Sequence, residues 1–166
     1  MFDFINTVDV LGDEELTNIF ITRLITEYNN NHIKYLRSGA FASCTSLTSA
    51  RLPLVTKADD RSFESCTSLK RLYFRDITNI GIYGLHKCSA LEALVLAGTE
   101  NICTLSIYAL NNSSIADGTG YIYVPQALLE SYKTASGWST YADQFRALED
   151  YTVDGTITGE LDESKI

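Results

Sequence analysis

One spacing governs the middle of this chain. The segments Ala40-Phe41-Ala42-Ser43-Cys44-Thr45-Ser46-Leu47, Ser62-Phe63-Glu64-Ser65-Cys66-Thr67-Ser68-Leu69 and Gly84-Leu85-His86-Lys87-Cys88-Ser89-Ala90-Leu91 align without a gap. Phe41, Phe63, Leu85 and Ile107 fall 22 residues apart, and so do Cys44, Cys66, Cys88 and Leu110. The same step links Leu47, Leu69 and Leu91, then Ala50, Leu72 and Leu94, then Leu52, Phe74 and Leu96, and finally Ala58, Ile80 and Ile102. A unit of this length cannot bury its apolar face alone, so the columns imply coils stacked on a shared core.

Each coil is expected to carry one short strand. Leu72-Tyr73-Phe74, Leu94-Val95-Leu96 and Ile122-Tyr123-Val124 alternate inward and outward at period two. The register reaches back through Ile33 and Leu36, which places the first half-repeat near residue 31. Ahead, the insertion Asp117-Gly118-Thr119-Gly120 delays the next strand by six residues, and the array ends at Pro125. Gly81, Gly84 and Gly98 read as turns between strands.

So short a stack leaves its core open at both ends, and the flanks read as helical caps. Residues 13–28 have Asp13 as N-cap, Glu14 and Glu15 in the first turn, and Leu16, Phe20, Leu24 and Tyr28 every fourth position. After Pro125, the run Gln126–Lys133 starts like a helix, and Trp138, Tyr141, Phe145 and Leu148 follow helical spacing beyond Ser136-Gly137. The expected division is therefore 1–30 as N-terminal helical cap, 31–125 as repeats, 126–149 as C-terminal helical cap and 150–166 as an acidic tail. In that tail, Tyr151-Thr152-Val153 and Thr156-Ile157-Thr158 flank Asp154-Gly155, a hairpin signal.

Charge narrows the partners. The formal charge of −8 is concentrated in residues 1–16, with five acids and no base, and in residues 150–166, with five acids and one base. A nearly neutral body with acidic ends has no basic footprint for a phosphate backbone, so nucleic acid is not an expected partner. No apolar stretch is long enough for membrane insertion, and the first ten residues, with two aspartates and no Lys or Arg, make a poor secretory signal.

The recurring A-F-x-S-C-T-S-L followed by L-x-L resembles the BspA-like leucine-rich repeats, and Tyr121-Ile122-Tyr123-Val124-Pro125 with Tyr132-Lys133 and Trp138-Ser139 is similar to the way such arrays close. The resemblance implies a leucine-rich-repeat solenoid with 22-residue repeats and a short parallel β-sheet, and a non-enzymatic module associated with adhesion or protein recognition. It supplies no catalytic residue and no cofactor. The flanks, Gly12-Asp13-Glu14-Glu15-Leu16 and Phe145-Arg146-Ala147-Leu148-Glu149 among them, also look similar to small repeat proteins encoded by phages or prophages of gut Firmicutes. Together with the missing signal this implies a cytoplasmic or virion-associated location. A secreted bacterial surface adhesin fragment is the alternative within the family.

Few residues suggest chemistry. Cys44, Cys66 and Cys88 read as a buried thiol column, since a free Cys behaves as a small hydrophobe; a disulfide between neighbouring coils is compatible with the spacing as well. The spacing is wrong for zinc, and Cys103, outside the column, reads as the more reactive thiol. His32 and His86 stand in no pattern with a nucleophile, and no hydrolase, metalloprotease or phosphate-loop motif is present, so no catalytic or metal site is expected. The outward strand positions are Arg51, Tyr73, Val95 and Tyr123, flanked by Arg71, Arg75 and Tyr121. Tyr and Arg are favoured at protein interfaces, and this row is the expected binding face for a protein or glycan. Two other readings stand beside it. One is that Tyr and Arg stabilise an exposed sheet; the other is that the solenoid is an assembly spacer whose termini make the contacts.

Overall fold

The computed structural model describes residues 25–153 together with the two-residue strands Glu15–Leu16 and Thr156–Ile157. Period-two alternation and the repeat combine into a solenoid in which every coil adds a strand to each of two sheets. The first sheet stacks β2 (Glu27–Asn29), β4 (Ser49–Leu52), β6 (Arg71–Phe74), β8 (Ala93–Leu96), β10 (Tyr121–Val124) and β11 (Phe145–Ala147), all parallel. The second stacks the two-residue strands β1 (Glu15–Leu16), β3 (Tyr35–Leu36), β5 (Lys57–Ala58), β7 (Asn79–Ile80) and β9 (Thr104–Leu105). Between them Leu52, Leu72, Phe74, Leu94, Leu96, Ile122 and Val124 fill the core, and the Phe41 and Phe63 rings stack with centroids 4.9 Å apart and planes within 5°.

The third side of each coil is made of turns, and it carries two left-handed positions per repeat. Gly39, Arg61, Tyr83 and Tyr108 form one column of positive φ; Ser43, Ser65, Lys87 and Asn112 form the other. Only the first of these eight residues is a glycine, so interlocking with neighbouring coils, rather than residue preference, sets the backbone there. Lys87 is exposed, with φ 61°. Lys87→Gly should therefore cost no stability in urea unfolding, whereas the β-branched Lys87→Val should lose about 1–2 kcal/mol. Gly81 and Gly98 serve a different need from the turns expected of them. A Cβ on Gly81 would lie 2.6 Å from the Asp59 carbonyl carbon, and one on Gly98 would meet the Arg75 carbonyl oxygen, so both permit close approach of coils.

The last turns depart from the 22-residue step. Ile80 pairs with Leu105, 25 residues on, and Leu94 with Ile122, 28 on. The six extra residues are thus split, three before β9 and three before β10, instead of lying together at 117–120. Leu85 N–H bonds Ala109 O at 2.8 Å, as Phe63 N–H bonds Gly84 O at 2.8 Å one coil earlier. Leu110 therefore takes the core place of Leu85, and Ser113 that of Cys88. Leu105, not Ile102, follows Ile80, and Ile107 is expelled from the core position expected of it.

The N-terminal cap is not the expected helix, and the C-terminal cap is helical only in part. Within 13–28, the segments Glu15–Leu16 and Glu27–Asn29 are strands, and Tyr28 pairs with Ala50 at the 22-residue step. The array begins a coil earlier than residue 31, and Ile25 and Tyr28 belong to its core; the other expected cap positions lie outside the described residues. The exposed edge of β4 needs backbone partners, and a strand satisfies them where a helix would not. At the far end, one six-residue α-helix, α1 (Leu129–Thr134), lies between 3₁₀ turns at Gln126–Leu128 and Ser139–Gln144. Phe145–Ala147 is β11, pairing Phe145 with Ile122 on the last sheet edge. In the tail, β12 (Thr152–Val153) and β13 (Thr156–Ile157) pair antiparallel; the Asp-Gly turn lies outside the described residues.

Candidate functional site

Ladder pairing brings the sequence-derived row together. Arg51 sits opposite Tyr73, Tyr73 opposite Val95, and Val95 opposite Tyr123; Arg71 and Tyr121 flank Ala93 in the next row. The row faces away from the main core, as alternation requires. Its centre is nevertheless closed. Tyr73 is 1% exposed and Val95 0%, because Leu148 and Tyr151 fold back over the sheet and form a second small core with Ala93. Tyr123 is half-buried, its ring 4.6 Å from that of Tyr151 and nearly perpendicular to it. Burial raises the Tyr151 hydroxyl above its ordinary range, opposed by the charge of Arg71 and by a hydrogen bond from it. At the margins Arg51 lies 5.0 Å over the Tyr73 ring and Arg146 lies 4.4 Å over Tyr121, while Arg75 pairs with Asp76 at 3.2 Å beside a cleft of about 500 Å³. Alternation tells which way Tyr73 and Val95 point, but not that a segment 53 residues after Val95 and 75 after Tyr73 will cover them.

The cover has a testable strength. Tyr151→Ala should lower the unfolding free energy by about 2–4 kcal/mol and open the Val95 surface to a hydrophobic dye, read by urea titration and dye fluorescence.

The open surface lies on the turn side. Four large apolar residues are exposed among the described residues, and three of them, Ile82 (36%), Ile107 (65%) and Tyr108 (51%), occupy matching places on adjacent coils. Between them runs a column of planar groups: the Arg61 guanidinium lies 5.2 Å over the Tyr83 ring, which stacks on Tyr108 at 5.4 Å with planes 15° apart. All three residues sit at left-handed backbone positions, which turn their side chains out at the corner. His86 packs edge-on against Tyr83 at 5.1 Å, with Nδ1 buried and without a hydrogen-bond partner among the described residues. His32 is exposed. The sequence does hold a signal for this ridge, the pair Ile-Tyr at 82–83 and again at 107–108, but at a step of 25 rather than 22.

The thiols are structural. Cys44, Cys66, Cys88 and Cys103 are all free and buried. Cys66 Sγ donates to Phe41 O at 3.0 Å and Cys88 Sγ to Phe63 O at 3.2 Å, each reaching the carbonyl of the coil before. Burial pushes Cys66 up strongly and Cys88 and Cys103 up to about 12. Cys103 is therefore not the reactive thiol its place outside the column suggests. Its N–H donates to the Tyr132 hydroxyl at 2.9 Å, and its carbonyl accepts from Trp138 Nε1 at 2.6 Å, so it is the anchor of the C-terminal cap.

The coils described above lie within a match to the BspA type leucine rich repeat region, which covers residues 11–127 in six copies. The chain belongs to the BspA-type leucine-rich repeat family. The match starts well before residue 31, in agreement with the extra coil. Among curated proteins, none matches the chain. Members of this family are generally non-enzymatic, and among the described residues of this BspA-type chain no three His, Cys, Asp or Glu side chains converge as a metal site would require. None of the described helices is long and apolar enough to cross a membrane. What the BspA-type coils offer is surface: a sheet face filled at its centre and an aromatic ridge left open.

Proposed function

We propose that this chain is a non-enzymatic protein-binding module whose principal contact is the turn-side ridge of Ile82, Tyr83, Ile107 and Tyr108. The observation that carries the reading is the concentration of exposed apolar side chains on one ridge of two adjacent coils. A soluble repeat gains nothing from exposing Ile107 there, and aromatic and aliphatic groups rimmed by charge mark protein contacts. The open margin of the sheet face, Arg51, Arg75 and Tyr121, is a secondary contact, and Tyr73 and Val95 support it from beneath.

The test uses immobilised wild-type protein and the double variant Ile107→Ser, Tyr108→Asn, matched for melting temperature, against bacterial envelope proteins. Species held by the wild type and lost by the variant support the reading. Identical sets held by both overturn it. We further propose that the module is a phage or prophage accessory or virion-associated protein, which rests on the likeness of the flanks at 12–16 and 145–155. Tail or lysis genes beside its coding sequence are the expected result, and a neighbourhood of unrelated metabolic genes would count against it.

A further inference from the structure

We propose that the open face of the Tyr108 ring is a subsite for an arginine side chain presented by a basic protein partner. This rests on the ridge being the contact surface, and adds what the ridge selects.

Arg61, Tyr83 and Tyr108 form a stack that grows by one planar group per coil. Tyr83 is sandwiched, with the Arg61 guanidinium 5.2 Å from its centre and the Tyr108 ring 5.4 Å away. Tyr108 has Tyr83 as its ring partner, and half of its surface is open. Among the described residues no other ring or cation lies over Tyr108, so the column ends there on an open aromatic face.

An aromatic face carries a negative quadrupole and attracts a cation placed over it; the flat guanidinium can also stack in van der Waals contact, which a tetrahedral ammonium cannot. The molecule itself shows which group suits its tyrosines. Three arginines lie over three tyrosine rings: Arg61 on Tyr83 at 5.2 Å, Arg51 on Tyr73 at 5.0 Å and Arg146 on Tyr121 at 4.4 Å. A fourth, supplied from outside, would complete the column. Ile107, the most exposed large apolar residue described, precedes Tyr108 in the chain, and we assign it the aliphatic stem of the arginine.

Charge and area argue for the same occupant. Arg61 is already paired with Glu64 at 3.3 Å, and the acidic ends that give the chain its −8 draw a basic partner at long range, the body itself being nearly neutral. The four ridge side chains offer far less than the roughly 800 Å² per partner that a stable complex buries. A second copy stacked ridge to ridge is therefore a poor occupant. A single protruding side chain on a larger basic surface fits.

The experiment titrates the full-length protein with capped Gly-Arg-Gly and Gly-Lys-Gly peptides and follows the Tyr108 ring and Ile107 methyl resonances. The arginine peptide should shift both and bind about two- to five-fold more tightly than the lysine peptide. Tyr108→Asn, which suits the left-handed backbone there, should abolish the shifts, and Tyr108→Phe should keep them. Equal binding of both peptides, or shifts that persist in Tyr108→Asn, would overturn the proposal. So would a response of Tyr108 to methyl glucoside without one to arginine, or dimerisation on sedimentation that Tyr108→Asn removes. If ridge variants still lose their captured partners while arginine peptides fail to bind, the arginine subsite alone falls and the ridge stands.

Discussion

Raising the pH from 7 to 10 should remove about 4 kcal/mol from the unfolding free energy. Cys66, Cys88 and Cys103 are held protonated by burial, the last two to about 12, against an ordinary thiol value of 9.0. Above pH 9 the unfolded chain releases these protons and the folded chain does not. The unfolded state then binds fewer protons, so stability falls as pH rises, by about 1.4 kcal/mol per unit for each thiol between the two values. At pH 7 both states are protonated and nothing is lost. Urea unfolding at pH 7 and pH 10 measures the difference. Cys88→Ser should reduce it by about a third, and serine is a fair substitute because Ser113 already occupies the equivalent place on the next coil. The same burial predicts that a thiol reagent at pH 8 leaves the native protein almost unlabelled and counts four thiols in urea. A stability independent of pH to 10, or rapid native labelling, would contradict the thiol column.

The second large effect sits at the C-terminal cap. Trp138→Ala should cost about 3–5 kcal/mol. The indole is fully buried, packs on Tyr132 at 5.7 Å and on Phe145 at 5.8 Å, and donates through Nε1 to Cys103 O. Removing it leaves a cavity and an unpaired buried carbonyl together. Trp138→Phe, which keeps most of the volume and loses only the bond, should cost about 1–3 kcal/mol. Circular dichroism in urea distinguishes the two. A cost below about 1 kcal/mol for the alanine variant would mean that the cap contributes little to holding the last coils.

Both predictions depend on features of different legibility. The thiol column could be read directly, because stacking identical coils places residues 22 apart in one environment and chemistry repeats where environment repeats. Phe41 over Phe63, and Leu72 beside Leu94, follow from the same logic. The place of Trp138 could not, since its partners are the backbone of Cys103, 35 residues away, and the ring of Tyr132. The helical spacing of Leu16, Phe20, Leu24 and Tyr28 misled for a related reason. At Tyr28, the one of these whose side chain is described, the residue is inward in a strand, and the free edge of β4 outweighed local helix preference.

Period-two alternation and the 22-residue step were enough to establish the coil, its core residues and the outward direction of Arg51, Tyr73, Val95 and Tyr123, because each is set by the backbone geometry of one repeat and its nearest neighbour. The cover of Leu148 and Tyr151, the split of the six extra residues and the resulting exposure of Ile107 and Tyr108 belong to the assembled molecule. They arise where distant segments compete for the same sheet edge or apolar face, and the free energy of that competition is carried by no single stretch of the chain.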